Sequence, residues 1–402
     1  MTSTAYIYGH ARTPRGKGRP DGALHEITPV QLVVQTLRGI QQRYPFDTAL
    51  IDDVIIGCTN AVGEQASDIG RMGALLAYGQ HVPGLQIDRF CASGLDAINI
   101  AAAQVMCGQA QAMVTGGVES MSRIMPLGLG SEWSCDPQVV WNSYFSPTGV
   151  SADLLATLDG YSREELDAYG LQSQQRCEAA VRDGRFKAAL VPVTDVIGDV
   201  VLAHDEFPRP STTADNLAAL KPAFETLGQQ GGFDAVALQR YPHLEGLRHV
   251  HTAGTSSGVV DGASAVLVGS AEFGKSMGLK PRARIRSWGA VGSEPFVMLD
   301  GPAAATRKAL RLAGMTAKDI DLYEINEAFA AVVLRFMREM QLDPAIVNVN
   351  GGAIALGHPL GATGPMLVGT VLDELERRNL NTALITLCAA AGQAAATIIE
   401  RV

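Results

Sequence analysis

The hydrophobic pattern of the chain alternates between two periods, and this alternation predicts an α/β fold. Short apolar runs bounded by glycine or polar turns predict buried strands at Val54–Gly57, Ala112–Thr115, Ala265–Val268, Leu322–Ile325 and Ala383–Leu387. Between them, Thr28-Pro29 opens an amphipathic helix, and the capping box Ser162-x-x-Glu165 opens another. Strands that alternate with helices indicate a sheet, several of its strands parallel, with helices on its faces.

Two passages share one layout, which suggests a duplicated core. In the first, a loop with Cys91 leads into a helix over about Ser93–Met106 and then a strand. In the second, a loop with His358 leads into a helix over about Thr363–Arg378 and then a strand. Because α/β proteins repeat this order by default and the two passages share few residues, the duplication stays a hypothesis here.

Length and charge narrow the class of protein. The 402 residues are 47% hydrophobic and 18% charged, which allows two packed halves with a large core. The formal charge of -9 argues against a nucleic-acid partner. The N-terminal residues show no secretory signal, and the apolar window Ala383–Ile399 is too short for a bilayer, so that it predicts a strand, a loop and a strand. We therefore expect a cytoplasmic protein without a membrane span.

The cysteines point to chemistry by single thiols. The chain has six cysteines and no C-x-x-C pair, which disfavours a disulfide framework and a zinc site. Cys91 stands just before a predicted helix, where free N–H groups and the positive helix end would lower the pKa of a thiol. The alternative for Cys91 is a buried structural thiol. We adopt that structural interpretation for Cys58, Cys107, Cys135 and Cys177.

Two polar residues have both a functional and a structural interpretation. His358 lies in a glycine-rich loop and could act as a base for a thiol, or be a hydrogen-bonded structural group. Asn326 could be functional, or simply the N-cap of the helix that follows it.

Two other patterns are weaker. Gly254–Gly258 fits the G-x-S-x-G pattern, but an apolar strand follows where a hydrolase needs a helix. His249 and His251 could chelate a metal ion, but without a third ligand at metal spacing we expect solvated strand positions.

Five motifs occur together in one order along the chain, and as a set they are specific. They are DRFCASGLDAINIAAAQV around Cys91, GGVESMSR at 116–123, NEAF at 326–329, NVNGGAIALGHPLGATG at 348–364 and LCAAAGQ at 387–393. In these motifs the chain resembles the thiolase family, and the resemblance covers essentially its whole length. It implies two similar βαβαβαββ halves in a five-layered α-β-α-β-α core with an inserted loop domain.

The resemblance also implies domain boundaries. The first part of the N-terminal half would span 1–121 and its last part 249–276. The inserted loop domain, which would bind coenzyme A (CoA), would span 122–248, and the C-terminal half would span 277–402.

The resemblance assigns roles to specific residues. Cys91 would be the nucleophile that carries the acyl group, and His358 would accept its proton. Cys388 would move a proton to or from the α-carbon of the second substrate. One oxyanion site would use His358 and a water held by Asn326, and the other the backbone N–H groups of Cys91 and Ala390.

CoA contacts follow from the same resemblance. Arg209 would lie against adenine or phosphate, Phe224 along the pantetheine, and Ser257 would hydrogen-bond the pantetheine. CoA and acyl-CoA would be substrates, with no permanently bound cofactor and no metal. The chain departs from the family pattern in three places. Thr255 replaces an asparagine, Thr148 replaces the methionine of a Met-Gly pair, and alanines follow Cys388 where the family has glycines.

The resemblance therefore predicts an acyl-CoA C-acyltransferase of fatty acid metabolism and β-oxidation. It would cleave 3-ketoacyl-CoA with CoA, or condense two acetyl-CoA, by a ping-pong mechanism, as a homodimer or homotetramer. The alternative is a thiolase-shaped acyl-CoA binding protein with weak turnover, which the Cys388-Ala-Ala-Ala-Gly loop suggests. A ketosynthase-like condensing enzyme is disfavoured by the intact GHP motif at His358 and by the second cysteine.

Overall fold

The computed structural model describes residues 3–124 and 132–402. Every predicted strand is present, and all but one are longer than predicted. The strands are β1 (Tyr6–Arg12), β2 (Gly16–Lys17), β3 (Asp53–Gly57), β4 (Gly84–Ile87), β5 (Ala112–Ser120), β6 (Val193–Thr194), β7 (Val200–Leu202), β8 (Val260–Gly269), β9 (Ala283–Gly292), β10 (Leu322–Ile325), β11 (Thr382–Ala389) and β12 (Gln393–Arg401).

The helices also follow the predicted order, and the capping box at Ser162 is formed. They are α1 (Pro29–Arg43), α2 (Ile69–Tyr78), α3 (Ser93–Met106), α4 (Met121–Ile124), α5 (Glu132–Cys135), α6 (Pro137–Ser143), α7 (Thr148–Asp159), α8 (Arg163–Arg182), α9 (Ala214–Ala218), α10 (Glu225–Gln230), α11 (Phe233–Arg240), α12 (Ala271–Met277), α13 (Pro302–Ala313), α14 (Ala330–Met340), α15 (Ala353–Leu356) and α16 (Leu360–Arg378). None of the helices in the described ranges combines the length and apolarity that a bilayer crossing requires.

The two halves of the core have the same strand order. In the first half the sheet runs β4-β3-β5-β8-β1, with β3, β4 and β5 parallel and β8 antiparallel to β5. In the second half it runs β10-β11-β12-β9, and a parallel bridge between Tyr323 and Val347 stands where the first half has β4. The sheets join where β1 pairs with β9. This match confirms the duplicated core.

The sheets and helices form layers with separate apolar interiors. One buried cluster lies between the first sheet and α1 and α2, and a second surrounds α3 and α16 between the sheets. A third packs α13 and α14 on the second sheet. The window that begins at Ala383 forms the antiparallel hairpin of β11 and β12, as the strand-loop-strand prediction requires. The inner helices α3 and α16 each begin two residues after a candidate catalytic residue, Cys91 and His358 respectively.

Glycines allow the starts of these two inner helices to touch. A Cβ atom on Gly94 of α3 would lie 2.3 Å from the carbonyl oxygen of Gly361 on α16, and one on Gly117 would lie 1.9 Å from the same oxygen. Distances this short exclude any side chain at either position. The close approach brings the loop of Cys91 and the loop of His358 to the same end of the molecule.

Candidate active site

Cys91 stands in the short turn between β4 and α3. Phe90, the residue before it, has a φ of 47°, a left-handed conformation that is costly for a phenylalanine. Cys91 is partly exposed, and the backbone N–H groups of Cys91 and Ala390 act on its sulfur as hydrogen-bond donors. A thiol at the start of an inner helix thus meets two backbone donors, one from each half of the core.

The surroundings of Cys91 favour the thiol over the thiolate. Enclosure of the sulfur raises the pKa of Cys91 to about 12, and the charge of Glu119 acts in the same direction. The two backbone amides oppose this rise less strongly. The lowered thiol pKa predicted from the helix start is therefore wrong for the free protein, because desolvation and a buried carboxylate outweigh the partial charge at the start of α3.

Cys388 comes to Cys91 from the other half of the core. It lies on β11 opposite Ala394 of β12 and is 1% exposed. Burial raises the pKa of its thiol, and the nearby Cys91 raises it further. This effect of Cys91 on Cys388 indicates that the two thiols lie close enough to share one site.

His358 is held on three sides. Its backbone N–H donates to the carbonyl of Gly258 over 2.9 Å, its Nδ1 lies 2.6 Å from Oγ1 of Thr363, and its Nε2 lies 3.3 Å from Nδ2 of Asn326. Burial, together with the guanidinium of Arg15, lowers the pKa of His358 to about 3. The imidazole is therefore neutral at physiological pH, which leaves it able to accept a proton.

Asn326 is not an N-cap, although the sequence allowed that interpretation. The helix that follows begins at Ala330 with Phe329 as its N-cap, because Phe329 bridges to Ser256 in extended conformation. The backbone N–H of Asn326 donates to Thr386 of β11. Its Oδ1 is buried and lacks a hydrogen-bond partner in the described part of the chain, which suits a group that binds a further donor such as water.

The turn after Cys388 decides how the alanines there behave. Ala390 has a negative φ, so its side chain is accommodated without strain and its N–H keeps its direction. Ala391 has a φ of 58° and carries the strain instead. An alanine at position 390 is therefore compatible with the backbone of this turn, where the family has glycine.

Of the three candidate CoA residues, Arg209 and Ser257 lie on accessible parts of the structure. Arg209 is exposed, with its Cζ 5.2 Å from the ring centre of Phe207, and it lines a cavity of about 420 Å³. Gly254, just before the turn that carries Ser257, lines the same cavity. Ser257 is partly exposed, and its backbone N–H donates to Ala328 over 2.9 Å.

Phe224 and two of the departures from the family pattern belong to the inner end of this region. The ring of Phe224 meets that of Phe329 edge-on at 5.8 Å, and a Cβ on Gly149 would lie 2.2 Å from it. Thr148 is the first residue of α7. Thr255, in place of asparagine, is buried, and its Oγ1 accepts a hydrogen bond from the N–H of Thr252 over 2.8 Å. The hydroxyl of Thr255 therefore stabilises the turn that precedes Ser257.

Comparison with known proteins finds thiolases that match along the whole chain. The thiolase N-terminal domain matches residues 5–272, and the thiolase C-terminal domain matches residues 279–401. The 3-ketoacyl-CoA thiolase of Cronobacter sakazakii is 38% identical over 97% of this chain and 97% of its own. The steroid 3-ketoacyl-CoA thiolase FadA6 of Mycobacterium tuberculosis is 41% identical over 100% of this chain and 95% of its own. The chain belongs to the thiolase family.

A solved thiolase gives the same fold. Human mitochondrial 3-ketoacyl-CoA thiolase in complex with CoA has a TM-score of 0.84 to this chain at 32% identity, covering 100% of this chain and 98% of that one. The thiolase fold predicted from the five motifs is therefore confirmed. The boundaries drawn at 122, 249 and 277 remain predictions.

Glu119 is a residue of this thiolase site that the sequence analysis quoted without assigning a role. Its buried carboxylate accepts hydrogen bonds from the backbone N–H groups of Thr59, Asn60 and Gly361 and from the side chain of Gln65. It thereby ties the loop after β3 to the start of α16, between Cys91 and His358. An acidic residue inside an otherwise apolar strand was the available signal.

Two other patterns have structural roles in this thiolase. His249 and His251 lie outside any strand with side chains 4% and 0% exposed, and their Nδ1 atoms each lie 2.8 Å from a carboxylate oxygen of Asp153. The predicted solvated strand positions are therefore wrong. In the described ranges, no group of three or more His, Cys, Asp or Glu side chains could hold a metal ion. Ser256 forms an isolated antiparallel bridge with Phe329, and the strand β8 follows it instead of a helix, so the hydrolase elbow is absent there.

Proposed function

We propose that this thiolase-family member is an acyl-CoA C-acyltransferase that works through a thioester on Cys91. The observation that carries the proposal is the meeting of Cys91 with Cys388 and with the N–H of Ala390. A nucleophile, a second thiol and an oxyanion donor within one site suit acyl transfer from a thioester.

In the first half-reaction, His358 would take the proton of Cys91 as the sulfur bonds to the 3-keto carbon of the substrate. The N–H groups of Cys91 and Ala390 would hold the oxyanion that forms. Collapse breaks the bond between the α- and β-carbons, and its electron pair passes to the enolate of acetyl-CoA. Cys388 would give its proton to that α-carbon, while His358 and a water on Asn326 hold the enolate oxygen.

In the second half-reaction, CoA would donate its thiol proton to Cys388 and attack the acyl group on Cys91. Expulsion of the Cys91 sulfur, which takes back the proton from His358, would release the shortened acyl-CoA. Because both cysteines rest as thiols and His358 rests neutral, each proton would move only when a carbon–sulfur or carbon–carbon bond changes. The reverse order of steps would condense two acetyl-CoA.

CoA would lie along the insert with its nucleotide at Arg209 and its thiol toward Cys91. A positioned guanidinium on an acidic protein suits the phosphates, and Ser257 and Phe224 would face the pantetheine. The weak-turnover alternative gains no support, because Ala390 keeps the backbone direction that an oxyanion donor needs.

The decisive assay mixes the purified protein with acetoacetyl-CoA and CoA and follows loss of the ketoester. We expect turnover by ping-pong kinetics, and an acyl group on the peptide that contains Cys91 by mass spectrometry. Cys91→Ser would remove both signals. Bound CoA without loss of ketoester would favour the binding protein instead. A series of 3-ketoacyl-CoA chain lengths would then define the acyl preference.

We further propose that the protein is a homodimer or homotetramer through the edge of the first sheet. Strand β4 ends the sheet, and its outer side pairs with no other described strand. Leu85 on this strand is 40% exposed and Leu76 on α2 is 48% exposed. An open, apolar edge suits pairing with a second copy. Leu85→Lys should yield monomers in analytical ultracentrifugation, and an unchanged mass would contradict this interface.

We also propose a cytoplasmic location. All six cysteines are free thiols, which suits a reducing compartment. Fractionation of the native cells, with the protein detected by antibody, would test the location directly.

A further inference from the structure

The imidazole of His358 has one side-chain partner at each ring nitrogen. Nδ1 lies 2.6 Å from Oγ1 of Thr363, and Nε2 lies 3.3 Å from Nδ2 of Asn326. His358 is 4% exposed and Thr363 is 1% exposed. Water therefore has little access to Nδ1, and the proton state of the ring depends on these two side chains.

The partners fix the tautomer of the neutral ring. The amide nitrogen of Asn326 can only donate, so Nε2 must present its lone pair to it. The single proton of the neutral ring then lies on Nδ1 and is donated to the hydroxyl of Thr363. This tautomer leaves Nε2 as the basic nitrogen.

The fold holds the Thr363 hydroxyl in place. Helix α16 begins at Leu360, three residues earlier than the sequence pattern predicts, so Thr363 lies in its first turn. Gly364, the next residue, packs against Leu95 of α3, where a Cβ would lie 2.4 Å from the backbone nitrogen of Leu95. Close packing of the two inner helices thus fixes the backbone that carries the hydroxyl.

We propose that Thr363 is a positioning residue, whose hydroxyl keeps the proton of neutral His358 on Nδ1 so that Nε2 can accept the proton of Cys91. The proposal rests on the proposed function of Cys91 and His358. When the Cys91 sulfur bonds to the substrate carbon, its proton would pass to Nε2, and the Nδ1 proton would stay with Thr363. Without the hydroxyl, a buried Nδ1–H would lose its acceptor while Nδ2 of Asn326 still faces Nε2, so neither neutral tautomer would be satisfied and the ring would no longer be held in one proton state.

Three variants test the hydroxyl separately from packing. Thr363→Val keeps the shape and removes the hydroxyl, whereas Thr363→Ser keeps the hydroxyl and removes a methyl group. Thr36→Val on α1 is the matched control, because Thr36 is also buried in a helix and donates to the carbonyl of Leu32 over 2.7 Å, far from the site. All three would be assayed for thiolysis of acetoacetyl-CoA.

We expect Thr363→Val to lower kcat about 10- to 100-fold, as loss of a partner that orients a catalytic group commonly does, with little change in KM. Thr363→Ser should restore most of kcat, and Thr36→Val should leave it unchanged. Equal losses in Thr363→Val and Thr363→Ser would overturn the proposal, because the methyl group and not the hydroxyl would then matter. Full activity of Thr363→Val would also overturn it.

A spectroscopic measurement tests the tautomer itself. In protein labelled with 15N-histidine, the ring nitrogens of His358, assigned with His358→Asn, should show a protonated Nδ1 in the wild type and a mixture of the two tautomers in Thr363→Val. An unchanged tautomer would contradict the proposal even if activity fell. The proposed function fails separately, if Cys91→Ser keeps its activity.

Discussion

The two halves of the core share one pattern of aspartate-to-backbone hydrogen bonds, but they differ in the candidate catalytic residues that they hold. In the first half, Asp52 accepts hydrogen bonds from the backbone N–H groups of Gln111 and Ala112. In the second half, Asp321 does the same for Asn381 and Thr382. Asp52 thus ties the start of β3 to the start of β5, and Asp321 ties the start of β10 to the start of β11, so positions in the two halves can be compared directly.

Counted from these aspartates, Gly57 in the first half matches Asn326 in the second. A Cβ on Gly57 would lie 2.4 Å from the backbone nitrogen of Gly94, so the first half has no room for a side chain there. In the second half the same place holds Asn326, whose amide reaches His358. The comparison teaches that a duplicated scaffold becomes asymmetric where one copy packs backbone against backbone and the other leaves space for a functional group.

The halves also differ in how the last two strands are connected. In the second half, the short turn Ala390–Gly392 joins β11 to β12. In the first half, the whole stretch from α4 to the turn at Gly258 separates β5 from β8. The second half therefore presents the candidate acid–base residue Cys388 beside a tight hairpin turn, while the first half carries the insert with the candidate CoA contacts Arg209 and Phe224.

The largest effect is expected from removing one thiol of each half. Cys388→Ser should lower the rate of thiolysis by about 10³-fold or more. Catalytic residues that act together lose most of their combined effect when one of them is removed. The variant should still acquire an acetyl group on Cys91 from acetyl-CoA. In that step the leaving group is the CoA thiolate, so no carbon atom has to be protonated by Cys388. Mass spectrometry of the Cys91 peptide checks this. Cys91→Ser, the matched variant, should lose both activity and label.

If Cys388→Ser failed to label Cys91, the division of labour between the halves would be wrong. Label on Cys107, which is exposed, would point to nonspecific acylation instead.

The next effect concerns the contact between the inner helices. In Gly94→Ala, the new Cβ would lie 2.3 Å from the Gly361 oxygen and 2.5 Å from Pro365. We expect a loss of about 2–3 kcal/mol in the free energy of unfolding, because backbone and a proline ring cannot move aside. Gly246→Ala, with no atom within 4 Å, is the control and should be nearly neutral.

Urea titration followed by circular dichroism would measure both variants. An isolated helix gains about 1 kcal/mol from Gly→Ala, so a more stable Gly94→Ala would contradict the close approach of the two halves.

Local structure was predictable from the sequence where the signal is local. Helix α3 begins and ends at the predicted residues, β10 does the same, and the Ser162 capping box is formed. The nucleophile, the histidine and the second thiol were predicted from motif resemblance, and the structure brings Cys91 and Cys388 into one site. Their catalytic roles remain predictions.

The remaining features depend on partners distant in sequence. The thiol pKa of Cys91 rises because the sulfur is enclosed and, second, because Glu119 lies nearby, and the ring of His249 is held by hydrogen bonds to Asp153 and Asp234. Helix α16 begins early because glycines that signal a loop in sequence allow it to pack on α3. Each of these effects is a tertiary contact that hydrophobic periodicity does not encode.

The first half contains a contact whose strength depends on pH. Among the described residues, the second half has no insert and so has no equivalent of this contact. His249 lies between Asp153 and Asp234, at 2.8 Å and 3.0 Å, and their hydrogen bonds raise its pKa to about 9. Protonated His249 therefore stabilises the folded state fully below pH about 6.5, its unfolded value, and this stabilisation disappears as the pH rises through about 9.

We expect His249→Gln to flatten this part of the pH dependence, which should amount to on the order of 2 kcal/mol. Urea midpoints at several pH values between 6 and about 9.5 would measure it. His204→Gln, at an exposed position, serves as the control. Parallel pH curves for the wild type and His249→Gln would show that the contact contributes nothing.

The smallest effect tests the tight turn of the second half. Ala391 has a φ of 58°, where alanine pays a steric cost that glycine avoids, so Ala391→Gly should raise stability by about 0.5–1 kcal/mol net of the chain entropy that glycine adds. Ala390 has a negative φ, so Ala390→Gly should lower stability by a similar amount for the entropic reason alone. Thermal unfolding of the pair would measure opposite shifts. If both variants moved the midpoint in the same direction, the left-handed conformation would not lie at Ala391, and the direction of the Ala390 N–H toward Cys91 would lose its support.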